Sequence, residues 1–236
     1  EDESLRAVIL VVDSRGGSAL ASELVRRAVR RLADKKPVVA FVDQVAASGG
    51  YMVAVAAHAI VATPTSIVGS IGVFGGKFEI SGLLDKLGVG RAVLKQGRNA
   101  ALESGFTPWT DDERAALDRE IEQTYRDFLG AVGEGRKRPV EEIEPLAGGR
   151  IYTGRRAKEL GLVDELGGFE AALAKAQSLA GVLAQPDVVA IEAPSSPMAA
   201  LTRVRGLAEV RDLLGSLAGE RVFALDQTWL RIHPKP

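Results

Sequence analysis

The sequence predicts an α/β fold in which a parallel core sheet is flanked by helices, and three observations carry that prediction. Ala7–Val12 and Val38–Val42 are short, continuous apolar runs rich in β-branched residues, as strands buried on both faces read. Between them Leu20, Leu24, Val25, Ala28, Val29 and Leu32 recur at helical spacing, so an amphipathic helix joins the two runs. Each run leads into a glycine-bearing turn, and a strand, a crossover helix and a second strand make a right-handed parallel β-α-β unit.

The first strand opens almost at once after Glu1-Asp2-Glu3-Ser4, with neither an initiator Met nor a signal peptide, so the chain reads as a fragment with any membrane anchor upstream. On the crossover helix Arg26, Arg27, Arg30 and Arg31 take the side away from the apolar face and read as a solvated surface. Tyr51–Ala57, Ala-rich and free of Gly and Pro, reads as a buried helix. Ile60–Ala62 is a short strand stopped by Thr63-Pro64. Val68–Gly76 alternates apolar residues with glycine, a strand that other backbone approaches closely. Ile80–Leu87 reads as a short helix and Arg91–Leu94 as a further strand. Thr110-Asp111-Asp112-Glu113 is a capping box that opens a helix to about Gly133, with Leu117, Ile121, Tyr125, Phe128 and Leu129 as its stripe. Pro139–Leu146, Gly154–Leu160 and Phe169–Ala180 read as the remaining helices. Residues 1–182 are therefore expected to form one domain. In 183–236, Asp187–Glu192 reads as an edge strand, Ala193–Pro197 as a linker, and Met198–Leu217 as an amphipathic helix suited to oligomerisation or packing.

Composition narrows the functions available. A net charge of −1 over 236 residues and an aromatic content of 5% argue against nucleic acid and anionic membrane surfaces as partners. With no Cys, the chain has no disulfide, no thiolate metal site and no Cys nucleophile. Two histidines, His58 and His233, are too few for a His-rich metal site, so no metal and no cofactor is expected. No run of 18 apolar residues is present to span a bilayer.

The chemistry concentrates at Gln44-Val45-Ala46-Ala47-Ser48-Gly49-Gly50-Tyr51. Here a serine and two glycines occupy a strand-to-helix turn, where a hydroxyl can point outward beside the free N–H groups of the helix. A nucleophile and backbone donors for an oxyanion are what acyl transfer needs. The same residues would also serve as an ordinary N-cap serine with a glycine turn. Gly16-Gly17 lies at the carboxyl end of the neighbouring strand, on the sheet edge where open α/β folds bind ligands. His58 is a poor general base for Ser48: ten residues further along the same predicted helix, it lies ~15 Å away along the axis, against a required reach of ~3 Å.

Four ordered segments then resemble the signal peptide peptidase A (protease IV) family, which has the Clp-protease/crotonase fold, a β-α-β superhelix. Asp13-Ser14-Arg15-Gly16-Gly17-Ser18 is similar to that family's Asn-Ser-Pro-Gly-Gly-Ser loop, and Ala46-Ala47-Ser48-Gly49-Gly50-Tyr51 to its nucleophile motif. Gly69-Ser70-Ile71-Gly72-Val73-Phe74 resembles the segment lining its substrate groove, and Gly154–Asp164 its trailing helix-and-turn signature. The similarity spans about residues 5 to 180. It implies a serine peptidase that hydrolyses released signal peptides at a bacterial-type cell envelope and assembles into closed oligomers. By the same resemblance Ser48 is the nucleophile, the N–H groups of Gly49 and the Gly16-Gly17 loop form the oxyanion hole, and Val68, Gly69, Ser70 and Ile71 line the groove. The implied general base is a lysine.

That lysine is missing where the short members of the family carry it, since Ala100 occupies the position and nothing from Gln96 to Pro108 is a lysine. Arg98 cannot substitute, because a guanidinium stays protonated. Lys95, Lys86 and Lys77 lie earlier and read as solvated. The long family form divides the dyad between tandem domains, and this chain most resembles its serine-bearing C-terminal half, with the lysine supplied by the N-terminal half. Two other readings stay open: an assembly domain without catalysis, and a crotonase-type acyl-CoA enzyme, against which the lack of an acidic residue in Gln44–Val55 counts.

Overall fold

The structure is a computed structural model that describes residues 4–184 and 186–191. The chain divides into two units, one comprising the residues up to Gly72 together with those from Phe128 on, the other Val73–Asp127.

The first unit is the α/β body. Strands β1 (Val8–Ser14), β2 (Val38–Ala47) and β3 (Ala59–Ala62) run parallel, joined by helices α1 (Ala19–Ala33) and α2 (Gly49–Ala54). β2 is the spine. It pairs with β1 from Val8↔Val38 onward, with β3 over Val39–Val42, and then over Val45–Ala47 with β4 (Ile67–Gly69), also parallel. β5 (Ile151–Thr153) closes on β4 antiparallel, and β6 (Glu165–Leu166) pairs parallel with β3. The exchange of partner along β2 curls the sheet. It also explains why β2 outruns the apolar run Val38–Val42: the exposed pair Asp43-Gln44 sits at the switch, and Thr63 Oγ1 donates to Asp43 O there at 2.6 Å.

Residues on successive positions of a strand face opposite sides. Val39 and Phe41 of β2 join Val61, Ala172 and Ala176 in a buried cluster under α7 (Phe169–Ala180), where the Phe41 and Phe169 rings meet edge to face at 5.9 Å. The alternate residues Val38, Ala40 and Val42 are fully buried on the other face, the side of α1 and α2. α1 corrects the sequence reading. Of its predicted apolar face only Val29 is buried, while Leu20 is 71% and Leu24 58% exposed. The buried edge is instead Ser22 and Val29, with Arg26 turned toward Glu23 and Glu134, because α1 packs on the glycines of α2 and only a small side chain fits there.

Two short strands, β5 and β6, had no periodic signal long enough to predict them. β4 ends seven residues earlier than the run to Gly76 suggests, since Gly69 and Ser70 take positive φ. Close backbone approach is borne out there, because a Cβ on Gly69 would stand 3.0 Å from Arg150 O.

The second unit contains α3 (Ser81–Lys86) and the start of α4 (Asp111–Arg136). The capping box forms as predicted: Glu113 N donates to Thr110 Oγ1 at 3.2 Å and Thr110 N to Glu113 Oε2 at 3.0 Å. Arg91–Leu94, predicted as a strand, joins no sheet among the described residues, and every residue from 91 to 100 is exposed. α5 (Val140–Ile143), a 3₁₀ turn (Glu144–Leu146) and α6 (Gly154–Glu159) complete the first unit. Residues 187–191 take no strand; the expected linker and the Met198–Leu217 helix lie outside the described residues. Among the described residues no helix is long and apolar enough to cross a membrane.

Candidate active site

The carboxyl end of β2 delivers Ser48 into a turn whose geometry an ordinary serine avoids. Its φ of 51° and ψ of −123° lie in a region that costs about 1–3 kcal/mol for a residue with a Cβ. Two backbone bonds hold it there: Ser48 N–H donates to Gly69 O at 2.8 Å, and Ser48 O accepts from Met52 N at 2.9 Å. Ser48 occupies the N-cap position of α2, yet its side chain makes no capping bond. The serine and threonines that do cap helices among the described residues behave differently, since Ser18 Oγ accepts from Ala21 N, Thr110 Oγ1 from Glu113 N and Thr153 Oγ1 from Arg156 N. The N-cap explanation of Ser48 therefore fails. In the run Ala46–Ala57 it is also the single residue that is not buried.

The Gly16-Gly17 loop is packed onto this turn. Gly16 has φ +92°, and a Cβ on it would lie 2.6 Å from Ser48 Cβ and 2.7 Å from Gly49 N. Gly16 N–H is already engaged, donating to Ser14 Oγ at 3.1 Å. Gly17, with φ 154°, has no hydrogen bond from its N–H among the described residues. Gly49 is the first residue of α2, so its N–H precedes any intrahelical acceptor. A Cβ on Gly49 would collide with Ser22 Oγ, and one on Gly50 would stand 2.7 Å from Ser14 O. Ser22, fully buried, donates to Ser18 O at 2.9 Å. Sequence reasoning missed Ser14 and Ser22; only their position next to glycines that permit contact gives them a role.

One turn further on, Tyr51 is completely buried and donates to Leu162 O at 2.8 Å. Burial pushes its phenol well above the ordinary value. Beside it Arg136 forms a bidentate pair with Asp164, at 2.9 and 2.6 Å, and donates to Gly161 O. Asp164 also accepts from Ile60 N at 2.7 Å. Burial opposes ionisation of Asp164, but the hydrogen bonds and charge of Arg136 outweigh it and hold the carboxyl below its usual range. These contacts lock α2 to the body behind the serine.

The remaining predicted residues distribute as follows. Val68 and Ile71 are fully buried, so their side chains are core; Gly69 and Ser70 offer backbone, with Gly69 O on Ser48 N–H and Ser70 N–H on Arg150 O at 2.7 Å. His58 stands at the opposite end of β2 from Ser48. Its Nδ1 accepts from Val38 N at 3.1 Å, so it braces the start of the strand. In the Val73–Asp127 unit Ala100 is exposed on the turn that follows Gly97. Lys95 Nζ lies 3.8 Å from the buried Glu113 carboxylate, and Lys77 Nζ is buried 5.3 Å from the Trp109 ring centroid. Among the described residues no group of three or more His, Asp or Glu could hold a metal ion.

Comparison with known proteins identifies the family of the chain. The profile of Peptidase family S49 matches residues 30–183. A relative from Methanocaldococcus jannaschii bearing a protease name is 44% identical over 189 residues, covering 80% of this chain and 60% of its own length. The chloroplastic serine protease SPPA of Arabidopsis thaliana is 34% identical, covering 97% of this chain and 32% of itself. Protease 4 of Salmonella typhi is 38% identical, covering 76% of this chain and 29% of itself. The chain thus spans between about a third and three fifths of these relatives.

Proposed function

The chain belongs to Peptidase family S49, and from that premise we propose that it is the serine-bearing domain of a serine peptidase, with Ser48 as nucleophile. The observation that carries this is the strained Ser48 turn, whose hydroxyl caps nothing and against which the Gly16-Gly17 loop is packed. In the reaction Ser48 Oγ attacks the carbonyl carbon of an extended peptide and passes its proton to the base. The N–H groups of Gly17 and Gly49 donate to the resulting oxyanion. The amine leaves with the proton, and water then hydrolyses the acyl-enzyme.

Neither histidine suits the role of base, and Ala100 leaves the expected lysine position empty. The base is a lysine of another domain of the same protein, the N-terminal half, in keeping with the longer relatives. The substrates are apolar signal peptides already released, met at the cell envelope, and the assembly is a homo-oligomer. By itself the chain has little activity, since a serine without a base is a weak nucleophile.

The test is labelling of Ser48 by a fluorophosphonate, for the chain alone and with the upstream half added. Labelling only in the second case, lost in Ser48→Ala, is the expected result. Labelling of the chain alone would place a base within it and make Lys95 the first residue to replace. No labelling in either case would favour an assembly domain, the reading to which Ala100 lends its support.

A further inference from the structure

The loop between β1 and α1 carries a charge that the proposed reaction does not use. Ser14 is buried and its Oγ accepts from Gly16 N–H at 3.1 Å, which closes Ser14-Arg15-Gly16 into a turn capped by a side chain. Arg15 is the middle residue of that turn and is exposed, as is Gly17 after it. The turn also lies close to the nucleophile. A Cβ on Gly16 would stand 2.6 Å from Ser48 Cβ. Adjacent Cα atoms are ~3.8 Å apart, so the Arg15 Cα is held within ~8 Å of Ser48 Cβ.

Arg15 has no ion-pair partner among the described residues. The exposed Arg27, Arg30, Arg126 and Arg156 each lie within ion-pair distance of a carboxylate on their own helix. Asp13, two residues from Arg15 and also exposed, stays beyond that distance. Asp13 and Asp43 follow the last regular pair of β1 and β2, Val12↔Val42, and both are exposed. This end of the sheet is therefore not a bare basic patch that gathers anions at large. What Arg15 offers is a planar fork that fits one carboxylate bidentately, set beside the oxyanion donors Gly17 and Gly49.

We infer that Arg15 is a specificity-determining residue, pairing with a carboxylate of the bound peptide close to the scissile bond. This rests on the peptidase reading above and adds a substrate class to it. An extended peptide advances ~3.4 Å per residue, so Arg15 covers only about two or three residues beside the cleaved bond. Two sources present the required chemistry there, an Asp or Glu side chain and the free C-terminus of the peptide. An apolar peptide already released holds its carboxylate at that terminus. Arg15 would then direct cleavage to its last few residues, and pass over the same segment while it is still joined to a longer chain.

The test uses peptides of one apolar sequence, cleaved by the chain complemented with its upstream half. One peptide ends in a carboxylate shortly after the scissile bond, one in a carboxamide at the same place, and one carries Glu there ahead of a carboxamide end. Wild type should cleave the free acid with a kcat/KM about 10-fold or more above that of the amide. The advantage should shrink at high salt. Arg15→Gln should bring the ratio to about one, and Arg15→Lys should keep part of it, since an ammonium restores the charge without the fork. Equal cleavage of all three peptides by wild type overturns the inference, as does a preference that survives Arg15→Gln. A fall shared equally by all three in Arg15→Gln puts the charge on the oxyanion instead and overturns it too. Preference for the Glu peptide alone supports a carboxylate site and assigns it to a side chain. Ser48 that fails to label with fluorophosphonate in the complemented chain removes the peptidase reading and this inference with it. Ser48 that labels in an enzyme indifferent to carboxylates removes the inference alone.

Discussion

The run Ala46–Ala57 and the run Arg91–Ala100 are opposites in solvation. Eleven of the twelve residues in the first are buried and the exception is Ser48; all ten in the second are exposed, Leu94 almost wholly. Each contains a departure from what its environment would select. In a sealed, strongly bonded run, one accessible hydroxyl held in a strained turn is what a reacting group needs, since the surroundings over-determine its position. In an open run, apolar side chains without neighbours are a surface awaiting cover. The same kind of residue-level anomaly thus takes two forms, one hydroxyl singled out inside dense packing and apolar side chains left uncovered where packing is sparse.

The comparison is most severely tested behind the serine. Arg136 is 10% exposed and its bidentate partner Asp164 32%, and removing one member of such a pair strands the other. Arg136→Met should destabilise the fold by about 3–5 kcal/mol in urea unfolding. The pair also fixes a pH dependence. Asp164 titrates below its unfolded value, so its contribution is present above about pH 4 and is lost as pH falls through the folded value. Asp164→Asn should flatten this part of the acid limb of stability. A wild-type acid limb unchanged by Asp164→Asn would show the pair to be incidental.

Next in size is the contact between loop and turn. Gly16→Ala puts a Cβ 2.6 Å from Ser48 Cβ at φ +92°, a strain of about 1–3 kcal/mol. Because the side chain pushes on the turn itself, fluorophosphonate labelling in the complemented enzyme should fall by more than the loss of fold accounts for, about 100-fold for a displacement near 1 Å. Labelling that tracks the folded fraction alone would mean the loop only fills space.

What the sequence disclosed follows the same division. β1, β2, α2 and α7 were legible because burial on a regular lattice imprints a period, and the Ser48 turn because glycines crowd where backbones meet. α1 was misread in its facing: periodicity located an apolar stripe at Leu20, Leu24 and Val25, but the helix is seated through Ser22, whose smallness is dictated by Gly49 across the contact. Arg136–Asp164 was invisible because its partners are 28 residues apart and neither lies in a motif that states the pairing. Arg91–Leu94 reads as a strand from its apolar run, but no strand among the described residues pairs with it and its side chains stand exposed. Ser14, whose hydroxyl occupies Gly16 N–H, stood inside a recognised loop without any signal of its role.

The smallest effect sharpens the contrast most. Phe74 is 93% exposed in the single chain, so Phe74→Ser should change the stability of the dilute monomer by no more than about 0.5 kcal/mol. At a concentration where copies associate, a residue buried between them contributes through mass action, and the apparent midpoint of thermal unfolding becomes concentration-dependent. Wild type should therefore gain stability as its concentration rises, while Phe74→Ser gains less. Measured at two concentrations by differential scanning calorimetry, equal gains would place Phe74 outside any interface, whereas a loss already present at high dilution would mean the ring packs within its own chain. A gap that opens only with concentration is the behaviour of a side chain whose core lies in another molecule.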